Sequence, residues 1–275
     1  MMLKTKTKQL NLAERTHIMG ILNVTPDSFS DGGSYTTVEK AVAQAVRMVE
    51  EGADIIDVGG ESTRPGHTPV SMEEEIARIV PVIKAIKEKL DVPISVDTFK
   101  AGTAEAAIEA GADIINDIWG AKRNPEIAEV VAKHHVPIIL MHNRTNEDYR
   151  DLIVDMIDDL KESIQIAKDA GVPDEHIIID PGIGFAKSRE DDLRVMQQLE
   201  KFQELPYPLL LATSRKRMIG HVLDVPPAER DIGTGATTCL GIIKGARIVR
   251  VHNVKVNKQL AKMMDAMLGK EAYDG

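Results

Sequence analysis

The chain has 275 residues, enough for one domain with a large core and too few for a second of similar size. Lys and Arg number 34 against 43 Asp and Glu, a net charge of −9. No block of like charge is long enough to follow a nucleic-acid backbone, which argues against nucleic acid as a partner but leaves room for a small anion held by a few aimed cations. A single cysteine, Cys239, allows no intrachain disulfide, the polar N-terminus lacks the apolar core of a signal peptide, and no apolar run has the length to span a bilayer. Together these point to a cytoplasmic protein with no membrane segment.

Residues 1–16 read as an N-terminal extension, an edge strand or hairpin that closes the bottom of the fold. Eight short apolar runs follow, at 17–23, 55–59, 94–97, 114–117, 138–142, 177–180, 209–214 and 248–252, and nearly all end on a polar or charged residue. Runs of this length, rich in β-branched residues, read as strands buried on both faces and therefore paired in parallel. Between them, helical periodicity covers 38–50, 72–90, 103–109, 125–134, 152–169, 191–201, 231–244 and 254–267. Gly52, Gly111 and Gly171 follow the last turns of three of these helices, where glycine takes the left-handed cap. The His134-His135 pair reads as a helix C-terminal cap. This alternation predicts an α/β fold, one (β/α)8 TIM barrel spanning 1–275, with its active site at the ends of the strands.

Two connections on that face, 24–35 and 60–70, are longer than a minimal strand-to-helix loop and rich in glycine and serine, so both read as functional. Asp97, Asn116 and Asp180 close the third, fourth and sixth runs. Two carboxylates and a carboxamide around one cavity suit a flat heterocycle with an amidine-like edge, because a carboxylate accepts two parallel hydrogen bonds and asparagine offers both a donor and an acceptor. Metal binding is the competing reading, although no histidine or second carboxylate stands at ligand spacing. The segment 213–217 brings several cations to the barrel mouth, among them Lys216 as a point donor to a ring carbonyl or nitrogen. Arg250 and His252, two apart on the last run, leave the same face of the strand and make a phosphate clamp or, alternatively, a structural pair. Asn23 closes the neighbouring first run with an amide oxygen suited to Mg2+. The stretch 231–238 is a poor dinucleotide fingerprint, lacking the strand and the third glycine, and its small residues suit close helix packing or a subunit interface.

Taken together, Asn23-Val-Thr-Pro-Asp-Ser-Phe-Ser-Asp-Gly-Gly33, Gly59-Gly-Glu-Ser-Thr-Arg-Pro-Gly66, Asp180-Pro-Gly-Ile-Gly-Phe185, Ser214-Arg-Lys216 and Arg250-Val-His252 resemble the dihydropteroate synthase family of pterin-binding enzymes, in the family's order and across the whole barrel. The resemblance implies a transferase of folate biosynthesis that joins 6-hydroxymethyl-7,8-dihydropterin pyrophosphate to p-aminobenzoate with Mg2+ present and works as a homodimer. It assigns Asp97, Asn116, Asp180 and Lys216 to the pterin ring, with Met141 and Phe185 as walls. It assigns Asn23 to Mg2+, and Arg250 and His252 to the pyrophosphate. Thr63, Arg64 and Pro65, with Phe29 and Ser30, would close the site and shape the p-aminobenzoate pocket that sulfonamides occupy in the family. Arg217 stands where many members carry serine. The implied reaction is a dissociative substitution, in which pyrophosphate departs once its charge is neutralised and the pterin delocalises the resulting methylene cation. A pterin-binding methyltransferase is the nearest rival, but it has no use for a pyrophosphate clamp. A non-catalytic paralogue is the other, and the motifs that it would have lost are intact.

Overall fold

A computed structural model describes residues 1–25, 34–61 and 69–270. Strands β1 (Met2–Lys4) and β2 (Gln9–Asn11) form an antiparallel hairpin. The other eight are β3 (His17–Asn23), β4 (Ile55–Gly59), β5 (Ile94–Asp97), β6 (Ile114–Asp117), β7 (Ile138–Met141), β8 (Ile177–Asp180), β9 (Leu209–Leu211) and β10 (Ala246–Val251), all parallel and closed into a barrel in chain order, with β10 against β3. The helices are α1 (Ser34–Glu50), α2 (Met72–Lys89), α3 (Ala101–Glu109), α4 (Glu126–His134), α5 (Leu152–Asp169), α6 (Arg189–Gln197), α7 (Arg217–Leu223), α8 (Asp231–Ile243) and α9 (Val254–Met267). Among the described residues no helix is long and apolar enough to cross a membrane.

The period of two along each strand divides the core into two layers. Ile18, Ile56, Val58, Ile94, Val96, Ile115, Leu140 and Val249 face outward and pack with the helices. The intervening positions, Met19, Ile55, Ile114, Ile139, Ile178, Leu210 and Ile248, meet inside the barrel, where Leu3 and Leu12 of the N-terminal hairpin join them. Thr7 of that hairpin donates to Asp113, just ahead of β6, at 2.9 Å, so the hairpin lies at the end where the strands begin. Burying leucine there keeps water from the lower barrel and confines polar side chains to the upper end.

Gly52, Gly111 and Gly171 all adopt positive φ, and His135 caps α4 in the left-handed region, as their positions in the sequence indicate. The one helix that periodicity does not announce is α7. Seven residues, of which Met218 and Ile219 are buried, are too few to repeat an apolar face. The expected helix over 191–201 also divides, α6 stopping at Gln197 before a 3-10 turn over Leu199–Glu204. The small residues of α8 pack within the chain. A side chain on Gly235 would meet Leu260 of α9 at 2.7 Å, and one on Gly241 would meet Leu211 of β9 at 2.3 Å.

Candidate active site

The inward series that is apolar low in the barrel turns polar near the strand ends. It carries Asn23 and Gly59, paired across β3 and β4, then Asp97 opposite Gly59, Asn116 opposite Asp97, and Asp180 opposite Met141. Asp57, two residues before Gly59, belongs to the same series and is fully buried.

Arg250 reaches across this upper layer. Its Nε donates to Asp57 Oδ2 at 2.6 Å and its Nη2 to Asp97 Oδ2 at 2.8 Å, so one guanidinium bridges two buried carboxylates. Asn116 Nδ2 makes a long bond, 3.4 Å, to the same Asp57 oxygen. The other oxygen of each carboxylate, Asp57 Oδ1 and Asp97 Oδ1, is buried without a hydrogen-bond partner. Buried acceptors are seldom left so, and two on carboxylates that share one guanidinium mark a place that a ligand with N–H donors completes. Burial raises the Asp97 carboxyl well above the usual range despite the opposing charge of Arg250, with Asp57 adding to the rise.

Asp180 stands across the barrel, accepting the Gly182 N–H at 2.7 Å. Burial pushes its pKa up while Lys216 opposes the shift. Lys216 donates to the Ile183 carbonyl and lies 4.9 Å from the centre of the Phe185 ring, and burial lowers its ammonium to about 8. Met141 is buried beside Gly182 and Phe185 is half-buried, so an apolar wall adjoins the polar floor.

The other candidates separate in space. Ser214 accepts the His252 main-chain N–H at 3.1 Å and meets His252 Nδ1 at 2.8 Å, which fixes the imidazole beside the end of β10. The cationic segment after β9 is not one surface: Arg215 is locked by two bonds to Asp231, at 2.7 and 2.9 Å, Lys216 turns inward, and Arg217 is exposed on α7. Phe29, Ser30, Thr63, Arg64 and Pro65 lie outside the described residues.

A model of the family described as "Pterin binding enzyme" matches residues 19–252. Dihydropteroate synthase of Bacillus subtilis is 61% identical over 266 residues, covering 97% of this chain and 93% of its own length. The chain belongs to the dihydropteroate synthase family. It is therefore an enzyme of the transferase class. Among solved structures, the Clostridium difficile dihydropteroate synthase crystallised in the presence of pteroic acid superposes with a TM-score of 0.92 at 48% identity, covering 94% of this chain and 98% of that one. The Xanthomonas albilineans dihydropteroate synthase with 4-aminobenzoic acid gives 0.93 at 42%, covering 97% and 98%.

In this dihydropteroate synthase framework, the polar residues that the motifs do not mark include Asp57, His142 and Lys187, with Asp159 of α5 behind His142. Asp57 sits in mid-strand, and counting by twos from Gly59 is the signal that finds it. Asn23 is the residue that the motif resemblance assigns to Mg2+. Its carboxamide makes no hydrogen bond to a described residue, and it borders Gly59, where an added Cβ would sit in ordinary van der Waals contact, 3.5 Å from Asn23 Oδ1 and 3.8 Å from Asp97 Cβ. Among the described residues no group of three His, Cys, Asp or Glu could hold a metal ion. A single carboxamide oxygen fits Mg2+ held mainly by phosphate oxygens and water.

Proposed function

We propose that the chain condenses 6-hydroxymethyl-7,8-dihydropterin pyrophosphate with p-aminobenzoate, yielding 7,8-dihydropteroate and pyrophosphate. The observation that carries this reading is the pair of unpartnered buried oxygens on Asp57 and Asp97, at the barrel end where Asn116 pairs with Asp97 and Lys216 acts on Asp180. Such a floor accepts the N–H groups of a pterin ring. The relatives solved with pteroic acid and with 4-aminobenzoic acid support the same two substrates.

In this mechanism Asp180 and Asn116 hold the amidine-like edge of the pterin and Lys216 donates to the ring. Arg250 Nη1, which has no acceptor among the described residues, and the imidazole of His252 hold the pyrophosphate. Asn23 would ligate Mg2+, which when bound supplies charge neutralisation to the departing pyrophosphate. The bond between the methylene carbon and the bridging oxygen breaks, its electron pair leaves with pyrophosphate, and Asp97 stabilises the delocalised cation. The neutral aniline nitrogen then attacks and releases its proton to solvent. Positional isotope exchange tests the order of these events. With bridging 18O in the pterin pyrophosphate, the label is expected to scramble into non-bridging positions without p-aminobenzoate, and a label that stays in place would overturn the dissociative step.

Two groups set the pH dependence. Protonating Asp97 removes the charge that faces the cation, and deprotonating Lys216 removes the donor to the ring. The value of kcat/KM for the pterin substrate is therefore expected to rise from acid toward about 7 and to fall above about 8, giving a narrow bell. Lys216→Arg is expected to abolish the alkaline fall and keep the acid rise, because guanidinium stays charged. A wild-type profile flat to well above pH 9 would contradict the assignment. The exposed apolar side chains of Val222, Ile232 and Ile243 on α7 and α8 support a homodimer through that face.

A further inference from the structure

Lys187 follows the segment that carries Asp180 and Phe185, yet it lies apart from the reacting volume. Its side chain is buried, and its ammonium donates to the carbonyls of Gly182 at 3.0 Å and Phe185 at 2.7 Å and to His142 Nδ1 at 3.1 Å. Burial lowers the His142 imidazole to about 4, so the ring is neutral at pH 7, accepting from Lys187 through Nδ1 and donating from Nε2 to Asp159 at 2.9 Å. Arg144 in turn holds Asp159. A buried ammonium thus continues into a neutral ring and an anchored carboxylate on α5.

The loop that this chain of groups holds has no regular structure to satisfy it. Gly182, Gly184 and Ala186 all take positive φ within five residues. Gly182 also comes so near the preceding loop that an added Cβ would lie 2.1 Å from the His142 carbonyl. With few backbone partners, the loop carbonyls turn to side chains: Gly182 and Phe185 to Lys187, Ile183 to Lys216, and Ala186 to the Tyr149 hydroxyl at 2.7 Å. Burial lowers the Lys187 ammonium to about 7, against the three acceptors that gather around it, so a lysine in this place has a specific task.

We infer that Lys187 is a positioning residue that fixes Phe185 and Asp180 for the pterin ring by gathering the carbonyls of their shared loop against His142. The inference rests on the pterin-binding reading of Asp180 and Phe185. Lys187 touches no substrate and acts through the backbone on either side of Phe185. Loss of the side-chain donor leaves the Phe185 carbonyl and the His142 Nδ1 without their Lys187 bonds and the Gly182 carbonyl with only the Phe185 N–H, at 3.1 Å, and the loop must shift to find others.

The test combines kinetics with a fluorine signal in Lys187→Met and Lys187→Gln. The glutamine variant is a neutral donor free of the cost of burying a charge, so it guards against simple misfolding. The chain has four phenylalanines, and 4-fluorophenylalanine labelling with Phe185→Leu as reference identifies the Phe185 resonance. In Lys187→Met that resonance is expected to move or broaden, and the KM for the pterin substrate to rise by about tenfold to a hundredfold while kcat and the p-aminobenzoate KM change by less than about threefold. Lys187→Gln is expected to recover part of both. A merely structural role would lower the active fraction, and hence kcat, with KM unchanged. Three results overturn the proposal: an unmoved Phe185 signal, a moved signal with unchanged pterin KM, or failure of both variants to fold. The fluorine signal is read without substrate, so a wild-type protein that fails to turn over would defeat the functional reading while the signal still judged Lys187.

Discussion

Asp97→Asn is expected to lower kcat by about a thousandfold, about 4 kcal/mol of transition-state stabilisation, with a smaller effect on the pterin KM. Asparagine has nearly the shape of aspartate and keeps a carbonyl oxygen for ring N–H groups, so ground-state recognition largely survives. What disappears is a negative charge in a buried site, where charge acts more strongly than in water. That charge matters only once the methylene turns cationic, which places the loss in kcat. Arg250 keeps Asp57 as a partner, so the site is not left with an unpaired guanidinium. Steady-state kinetics at pH 8 check the expectation, and a kcat within tenfold of the wild type would count against charge stabilisation by Asp97.

Arg250→Met is expected to act on stability and activity together. It removes the cation that bridges Asp57 and Asp97 and leaves two buried carboxylates near one another. Breaking a buried pair in this way costs about 3–5 kcal/mol at neutral pH. The sign of the pH dependence follows: without Arg250 the Asp97 carboxyl rises further, and a carboxyl whose folded pKa is raised destabilises the protein increasingly from its unfolded pKa of about 4 up to the folded value, a penalty that shrinks as the pH falls back through that window. The variant should therefore lose most stability at pH 8 and recover part of it toward pH 6, as urea unfolding at the two values would report. Its kcat/KM should fall by at least about a thousandfold, since a pyrophosphate donor is lost as well. Unfolding midpoints that shift equally at both pH values would mean that the two carboxylates do not face each other as described.

These effects arise in a part of the molecule that is only partly legible in the sequence. The barrel is legible because its strands are buried on both faces and so appear as unbroken apolar runs, and because Gly52, Gly111 and Gly171 punctuate the helices. The ends of the runs point to Asp97, Asn116 and Asp180, which the strand register brings to the upper layer. Asp57 escapes that rule because it stands inside its run, and the partnership that gives it meaning joins it to a residue 193 positions away. The helix α7 escapes because it is too short for periodicity. Lys187 and His142 escape for another reason: their task is to satisfy carbonyls of an irregular loop, and no residue pattern records which carbonyls a fold leaves without partners. Naming the substrates took the resemblance in the motifs, since two carboxylates and a carboxamide fit many flat heterocycles.

The central claim, that this site joins a pterin to p-aminobenzoate with loss of pyrophosphate, is tested most directly by pyrophosphate release from purified protein given the dihydropterin pyrophosphate and Mg2+, with and without p-aminobenzoate. Sustained release is expected only when p-aminobenzoate is present, with one 7,8-dihydropteroate formed per pyrophosphate. Pterin that binds with no release under either condition would contradict it and favour a pterin-binding methyltransferase or a non-catalytic binder.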